Sequence, residues 1–596
     1  MGRISVSGIN DVERWFAINN QVIDEDSLPL SEYVKLPTTV DFQVINTGRF
    51  LEYAKDKPYI HLGTELANHY LVAYTNEKYI QGLLMDLGSD FLTFYPKIMS
   101  PLDIQSNDSS GITQVLNQPF LRLSGRGVII GFVDTGIDYQ QKAFQFEDGS
   151  SKIISIWDQT IDGEREEGLY FGSTYSREQI NEALQSDQPH YIVPSIDEDG
   201  HGTFLASVAA ANETGEYIGA APLANIVAVK LKRARSYYIE RYLLSPDNPN
   251  LYESSDYLLG IKYILDKATE FNMPVVICIG MGSNTSAHDG NTLFEDYISF
   301  ISQRSGYAFV TAAGNESNAR HHTQGKLAVG SSTDTISIKV GSQGESFSVT
   351  IFGPAFDKIS LGVVSPTGEV VQRIPFKSGL EYSENLVLED TTIYIRYFKD
   401  INNNLIVGLK NATQGIWEIR LFGDSIIDGQ YFAWLPITGQ VSENVEFLKP
   451  IPEYTIVYPA AAMRSITCGA YDPKDNSLSV SSSWGPTRLP RMAPDFVAPG
   501  VQIKGIYPTG YGTMTGTSAS AAVTSGAAAL LMEWGIVNGN MPTINGDIIK
   551  SLFISGCIRD ENMTYPNVKW GYGKLNLYNT FVSIRETAIN YHLSTT

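Results

Sequence analysis

Short, continuous apolar runs alternate with helical segments from Gly127 to about Gly314. The runs VIIGFVDTG, NIVAVKL, PVVICIGMG and YAFVTAAGN have the length of strands. TFLASVAAANE and SSDYLLGIKYILDKATEF have the length and spacing of helices. Strands that are apolar at every position are buried on both faces, so the stretch predicts a mostly parallel sheet covered by helices. From about Leu327 to Pro450 the texture changes. ISIKVG, ESFSVTIFG, KISLGVVSPTG, TIYIRYF, LIVGLK, GIWEIRLFG and YFAWLP are all strand-like, and Gly, Asn, Pro and Asp separate them at short intervals. That is the pattern of an antiparallel β-sandwich. After Tyr458 the first texture resumes and includes GTSASAAVTSGAAALLMEW, a helix from Gly516 to Trp534. The simplest organisation is an α/β domain interrupted by an inserted sandwich.

Ahead of it, from about Thr38 to Asp103, YIHLG and HYLVAYTN predict strand, EKYIQGLLMDLG a helix and FLTFYP a further strand. This is a small α+β module. The polar stretch SPLDIQSNDSSGI that follows has the marks of a linker. The expected division is therefore 1–105 for the module, 106–326 and 451–596 for the two parts of the α/β domain, and 327–450 for the sandwich.

Composition narrows the function classes. A chain of 596 residues exceeds one ordinary core, and 43% apolar residues are those of a globular protein. A formal charge of −22 argues against nucleic acid or an anionic membrane as the main partner. Three well-separated cysteines form neither a disulfide framework nor a zinc site. The start MGRISVSGINDVERWF has no long apolar core, so no secretory signal peptide is expected, and no apolar run is expected to reach the length of a membrane span.

Four stretches carry candidate chemistry. Asp134 in VIIGFVDTGIDY ends an apolar strand, where the catalytic groups of parallel sheets gather, although a capping Asp fits equally. His201 in DEDGHGTFLASVAA stands between two glycines at a helix start, where small neighbours permit a close approach; an exposed helix-start His is the plain alternative. Asn315 in VTAAGNES follows a strand, as a turn residue also would. Ser518 opens the Gly516 helix, where it is either a nucleophile or an ordinary small residue near a cap.

Taken together, in the order Asp, His, Asn, Ser, the stretches VDTGID, HGTFLASVAA, AAGN and GTSASAAVTSGAAAL resemble the subtilisin family. GAAPLANIVAVK, CIGMG, YPAAAMRSITCGAYD, SSWGP and APG support the resemblance along the whole α/β portion. It implies a serine endopeptidase with Asp134, His201 and Ser518 as triad, and Asn315 with the Ser518 N–H as oxyanion site. Gly280, Met281 and Gly282 match the strand lining the primary pocket. Their two glycines suggest a wall without side chains that admits a large residue. Residues 1–105 match a propeptide that assists folding and then inhibits as a non-covalently bound partner, with self-cleavage expected at Gln105–Ser106. One departure is Ala522 where the family usually has Pro. Another is ANETGEYIG, too altered to carry over the family's calcium loop, so neither metal nor cofactor is assigned.

SSGITQVLNQPFLRLSGRGVIIGFVDTGIDY, IWDQTIDGE, ARHH and GYGKLNLYN are similar to the clostridial Csp-type subtilisin-like proteases. These combine a retained propeptide with a jelly-roll-like insert between the Asn and Ser segments. The resemblance implies limited proteolysis of a protein or peptide substrate, such as zymogen activation in spore germination, in a cytoplasmic or spore-associated setting. The competing readings are a propeptide-blocked, pseudoprotease-like sensor or scaffold and a general intracellular degradative protease. The sandwich holds no triad member, so a rigidifying role is expected of it.

Overall fold

The computed structural model describes residues 25–45, 48–87, 96–101 and 108–595, apart from 213, 215, 216, 331, 400 and 401. In the N-terminal module, β1 (Thr39–Ile45), β2 (His61–Glu65) and β3 (Tyr70–Asn76) make an antiparallel sheet in the order β1-β3-β2. Helices α1 (Gly48–Lys55) and α2 (Ile80–Leu87) belong to the same module. Alternation along β1 and β3 splits their side chains. Val40, Phe42, Val44, Leu71 and Ala73 pack with residues of α1 and α2, whereas Val72 and Tyr74 join a core of the α/β domain. Residues 91–95 of the expected FLTFYP strand lie outside the described residues. Beyond them β4 (Ile98–Pro101) pairs outside the module's sheet, although the Ile98 side chain still packs in the module's core.

The α/β domain contains, in chain order, β5 (Ile129–Asp134), β6 (Ile153–Asp158), β7 (Ser173–Ser176), α3 (His201–Ala210), β8 (Asn225–Lys230), β9 (Tyr252–Glu253), α4 (Ser254–Glu270), β10 (Val275–Ile279), β11 (Met281–Gly282) and β12 (Tyr307–Ala312). After the insert come β13 (Ile466–Tyr471), β14 (Phe496–Pro499) and α5 (Thr517–Met532). Eight of these strands form one sheet in the order β14-β13-β12-β10-β5-β8-β6-β7, parallel except for β7 at the edge. The period of two explains why these strands look uniformly apolar. Ile130, Phe132, Val276 and Cys278 face the core shared with α3 and α5. Ile129, Val133, Val275 and Ile277 face the one shared with α4. The fold is the α/β subtilisin-like one.

All sixteen residues of α5 are buried. Its small residues permit this: a Cβ at Gly526 would stand 2.3 Å from the Ala220 Cβ. The stretch Thr517–Val537 has the length and apolar character of a membrane span, contrary to the expectation from sequence, with 83% of its most apolar window buried inside the protein. The low polarity thus belongs to a core helix.

Between β12 and β13 the chain builds two antiparallel sheets, of six and five strands, around their own apolar core. Their burial alternates, as in the strand Gly415–Ser425, because each sheet has one inward face. The first strand of the six-stranded sheet is His322–Lys326, so the insert begins before Leu327.

Candidate active site

The carboxyl ends of β5, β10 and β12 converge beneath the start of α5. Asp134 is the last residue of β5 and His201 the first of α3. His201 Nδ1 lies 2.7 Å from Asp134 Oδ1, and both side chains are buried. Glycines make this approach possible. Gly200 has a φ of 90°, a left-handed turn that sets His201 at the helix start, and a Cβ at Gly202 would lie 2.2 Å from the Gly136 carbonyl oxygen.

Ser518 is the second residue of α5, and its hydroxyl donates to the Gly280 carbonyl at 2.8 Å. A Cβ built on Gly280 would be 3.2 Å from His201 Cε1 and 3.4 Å from Ser518 Cβ. Gly280 therefore accepts from Ser518 and leaves no room for a side chain between Ser518 and His201. Asn315, just beyond β12, accepts a hydrogen bond through Oδ1 from the Thr517 N–H at 3.1 Å. With the oxygen so held, the amide's NH₂ end is the one available to an oxyanion. Sequence reading missed the residues that hold this frame. Asp197 accepts from the Thr135 hydroxyl (2.8 Å), the Gly200 N–H (2.9 Å), and the Thr203 N–H and hydroxyl (2.9 and 2.6 Å). It thereby ties the turn after Asp134 to the helix carrying His201. An acid before a helix start with Thr inside the first turn was the available signal.

The subtilase model matches residues 125–358 and 449–573, on either side of most of the sandwich. The chain belongs to the subtilase family. Among solved structures, the CspB protease of Clostridium perfringens is similar, with a TM-score of 0.71 and 31% identity over 81% of this chain and 98% of that one. Among curated proteins, serine protease AprX of Bacillus subtilis is 30% identical over 149 residues, 21% of this chain and 31% of the relative. The subtilase-type proteinase RRT12 of Saccharomyces cerevisiae is 28% identical over 109 residues, 17% of this chain and 21% of the relative. The aligned stretches thus span about a fifth to a third of these two curated relatives.

In a subtilase this arrangement divides the labour by atom. With Nδ1 of His201 held by Asp134, Nε2 would be the atom free to take the Ser518 proton and to return it to a leaving amine. The first backbone N–H groups of α5 have no intrahelical acceptor, and the helix dipole favours negative charge there. The Thr517 N–H is already taken by Asn315, so an oxyanion beside Ser518 would meet the Ser518 N–H and the Asn315 amide.

Gly280, Met281 and Gly282 do lie beside the site, but the room left by the glycines is not a pocket. A Cβ at Gly280 would also meet Leu205 Cδ1 at 2.5 Å, and one at Gly282 would meet Val457 Cγ2 at 2.5 Å. Protein atoms fill the space, so the expectation of a wall opened for a large residue is corrected. What the segment offers is its backbone edge. β4 lies antiparallel between β11 and β9, with Pro101 opposite Met281, Ser100 opposite Gly282, and Ile98 opposite Glu253. The N-terminal module thus feeds a strand into the cleft. Gln105 and Ser106 lie outside the described residues.

Proposed function

We propose that the protein is a serine endopeptidase that cuts its own chain once, keeps the N-terminal module in its cleft, and acts on proteins or peptides by limited proteolysis. The observation that carries this reading is β4, which occupies the cleft as the middle strand of a three-stranded sheet, as an extended peptide substrate adds to a sheet edge. Counting one position on from the register Ser100–Gly282 and Pro101–Met281 reaches Gly280, the neighbour of both His201 and Ser518; Leu102 and Asp103 themselves lie outside the described residues. The proposed cut accordingly moves from Gln105–Ser106 to Leu102–Asp103.

Retention of the module is supported by buried polar links. Arg235 Nη1 donates to Asp41 of β1 and, at 2.9 Å, to Glu253. Burial, followed by the charge of Asp41, pushes the Glu253 carboxyl well above the usual range. Gln43 Nε2 donates to the Ser254 hydroxyl at 3.1 Å. Removing one member of such a cluster leaves buried charge uncompensated, which opposes dissociation. Zymogen activation, as in spore germination, is the narrower form of this proposal, and it rests on the resemblance of the sequence motifs to Csp-type proteases.

Intact mass of the purified chain tests the reading. The parent gives two co-purifying fragments divided at Leu102–Asp103, and Ser518→Ala gives one chain. A parent that remains a single 65.7 kDa chain and takes up no serine-directed fluorophosphonate would favour the blocked-scaffold alternative.

A further inference from the structure

We propose that the sandwich forms part of the substrate cleft, with Gln440 gripping the third and fifth residues before the scissile bond and selecting a hydroxyl side chain at the third. The proposal rests on the reading above that β4 lies as a substrate does.

Gln440 is buried in the loop after the sandwich strand Gln430–Trp434. Its Nε2 donates to the Ile98 carbonyl and to the Ser100 hydroxyl, each at 3.1 Å. The Ser100 hydroxyl in turn donates to the Asn250 carbonyl at 2.8 Å. One side chain thus has its proton and a lone pair both engaged, by opposite walls of the cleft. Above the strand the walls meet, because Asn248 Nδ2 donates to the Gly439 carbonyl at 2.8 Å. Thr438 and Gly439 share with Ser100, Asp199 and His201 the lining of a cleft of about 340 Å³. The sandwich reaches the catalytic histidine's own cavity.

The loop is fastened to the chemistry as well as to the strand. Glu316 follows Asn315 directly and is buried. It accepts from the Thr438 N–H at 3.0 Å, pairs with His321 Nδ1 at 2.8 Å, and accepts from Asn284 Nδ2 at 3.3 Å. Asn284 also donates to the Leu435 carbonyl at 3.2 Å. The segment after β11, the oxyanion turn and the Gln440 loop are therefore one hydrogen-bonded unit.

A bond to a backbone carbonyl serves any sequence, whereas a bond to a side-chain hydroxyl does not. A site built to bond a substrate hydroxyl discriminates against residues that lack it, because its own buried polar group is then left unpaired. The occupant that fits is an extended peptide with Ser or Thr three residues before the cut.

Self-cleavage of the full chain, followed by intact mass during cell-free synthesis, tests this. Gln440→Met keeps the volume and removes the donors, and it slows cleavage about three- to tenfold. Ser100→Ala slows the parent about threefold, Ser100→Thr leaves it near the parent rate, and Ser100→Ala has less effect once Gln440→Met is present. Parent-rate cleavage by Gln440→Met, or an equal Ser100→Ala effect in both backgrounds, overturns the proposal alone. Should Gln440→Met fail to fold, Ser100→Ala at the parent rate does the same. A parent that never cuts itself overturns both the self-processing reading and this one.

Discussion

The turn after β12 and the loop that carries Gln440 end at the same cleft, but they are built by different means. The first belongs to the central sheet. Its Gly314 and Asn315 sit where a parallel strand must turn, and the Thr517 N–H of α5 fixes the amide. The second belongs to a sandwich with a core of its own, and its loop is fastened at the cleft by Ile437, packed into a core of the α/β domain, and by hydrogen bonds with Glu316, Asn284 and Asn248. The sheet positions its groups by backbone geometry, which tolerates little change. The insert positions its groups by a few hydrogen bonds, which single substitutions can remove one at a time. The chemistry should therefore fail abruptly when the sheet end is altered, and substrate preference should shift gradually when the insert is altered.

The hardest test of that contrast is Gly280→Val. A valine adds a Cβ and two methyls against Leu205 Cδ1, His201 Cε1 and Ser518 Cβ. Leu205 ends in a flexible methyl and can yield, but His201 and Ser518 are the pair proposed to react. Misplacing reacting groups by about 1 Å costs roughly 10²-fold, so turnover falls by at least that factor on peptides of every size. A loss confined to peptides with large residues before the cut would restore the pocket-wall role expected from the sequence.

Asp197→Ala probes the same frame one layer out. It deletes the acceptor for two hydroxyls and two backbone N–H groups, all buried or partly buried near the Asp134 turn. Stranding such donors costs about 1–3 kcal/mol each, less what water recovers, so the chain loses about 4 kcal/mol of stability. Turnover should fall about tenfold as the Asp134 and His201 elements lose their tie, read as kcat with KM nearly unchanged. A variant that melts early but turns over at the parent rate would make Asp197 a purely structural cap.

How much of this was legible in the sequence follows from the same contrast. The central strands, Asp134, His201, Asn315 and Ser518 stand in short contiguous motifs, because a strand end and the helix or turn beside it are close in sequence. Gly280 was legible as a position but not in its role, since the atoms filling its missing Cβ come from α3 and α5. Gln440 gave no signal. Its stretch, ITGQVS, reads as an ordinary turn, and its partners Ile98 and Ser100 lie over three hundred residues away. Nor could the sequence show that β4 pairs in the cleft rather than in its module's sheet, which depends on β9 and β11 presenting two free edges at the right spacing.

The smallest effect on catalysis belongs to the seam between sandwich and sheet, and it is read through pH. His322 begins the insert, its ring stacked 4.8 Å from that of Trp434. Burial pushes its imidazole down from 6.5 to about 3, and Nε2 has no partner among the described residues. Above pH 6.5 the ring is neutral whether the chain is folded or unfolded, so the stability it allows is fully present. As pH falls from 6.5 toward 3, the unfolded chain takes up a proton that the folded one refuses, and stability is lost progressively. His322→Phe preserves an aromatic ring and cannot titrate. Its melting temperature should lie below the parent's at pH 7.5, because the bond from Nδ1 to the Ile451 carbonyl is gone. The gap should close or reverse by pH 4.5, while turnover at pH 7.5 stays within about twofold of the parent if the seam acts only as a support. A gap that is constant from pH 7.5 to 4.5 would mean that the folded ring takes up its proton as readily as the unfolded one, so that burial does not depress it. A large loss of turnover at neutral pH would mean that the seam reaches the chemistry as directly as Gly280 does.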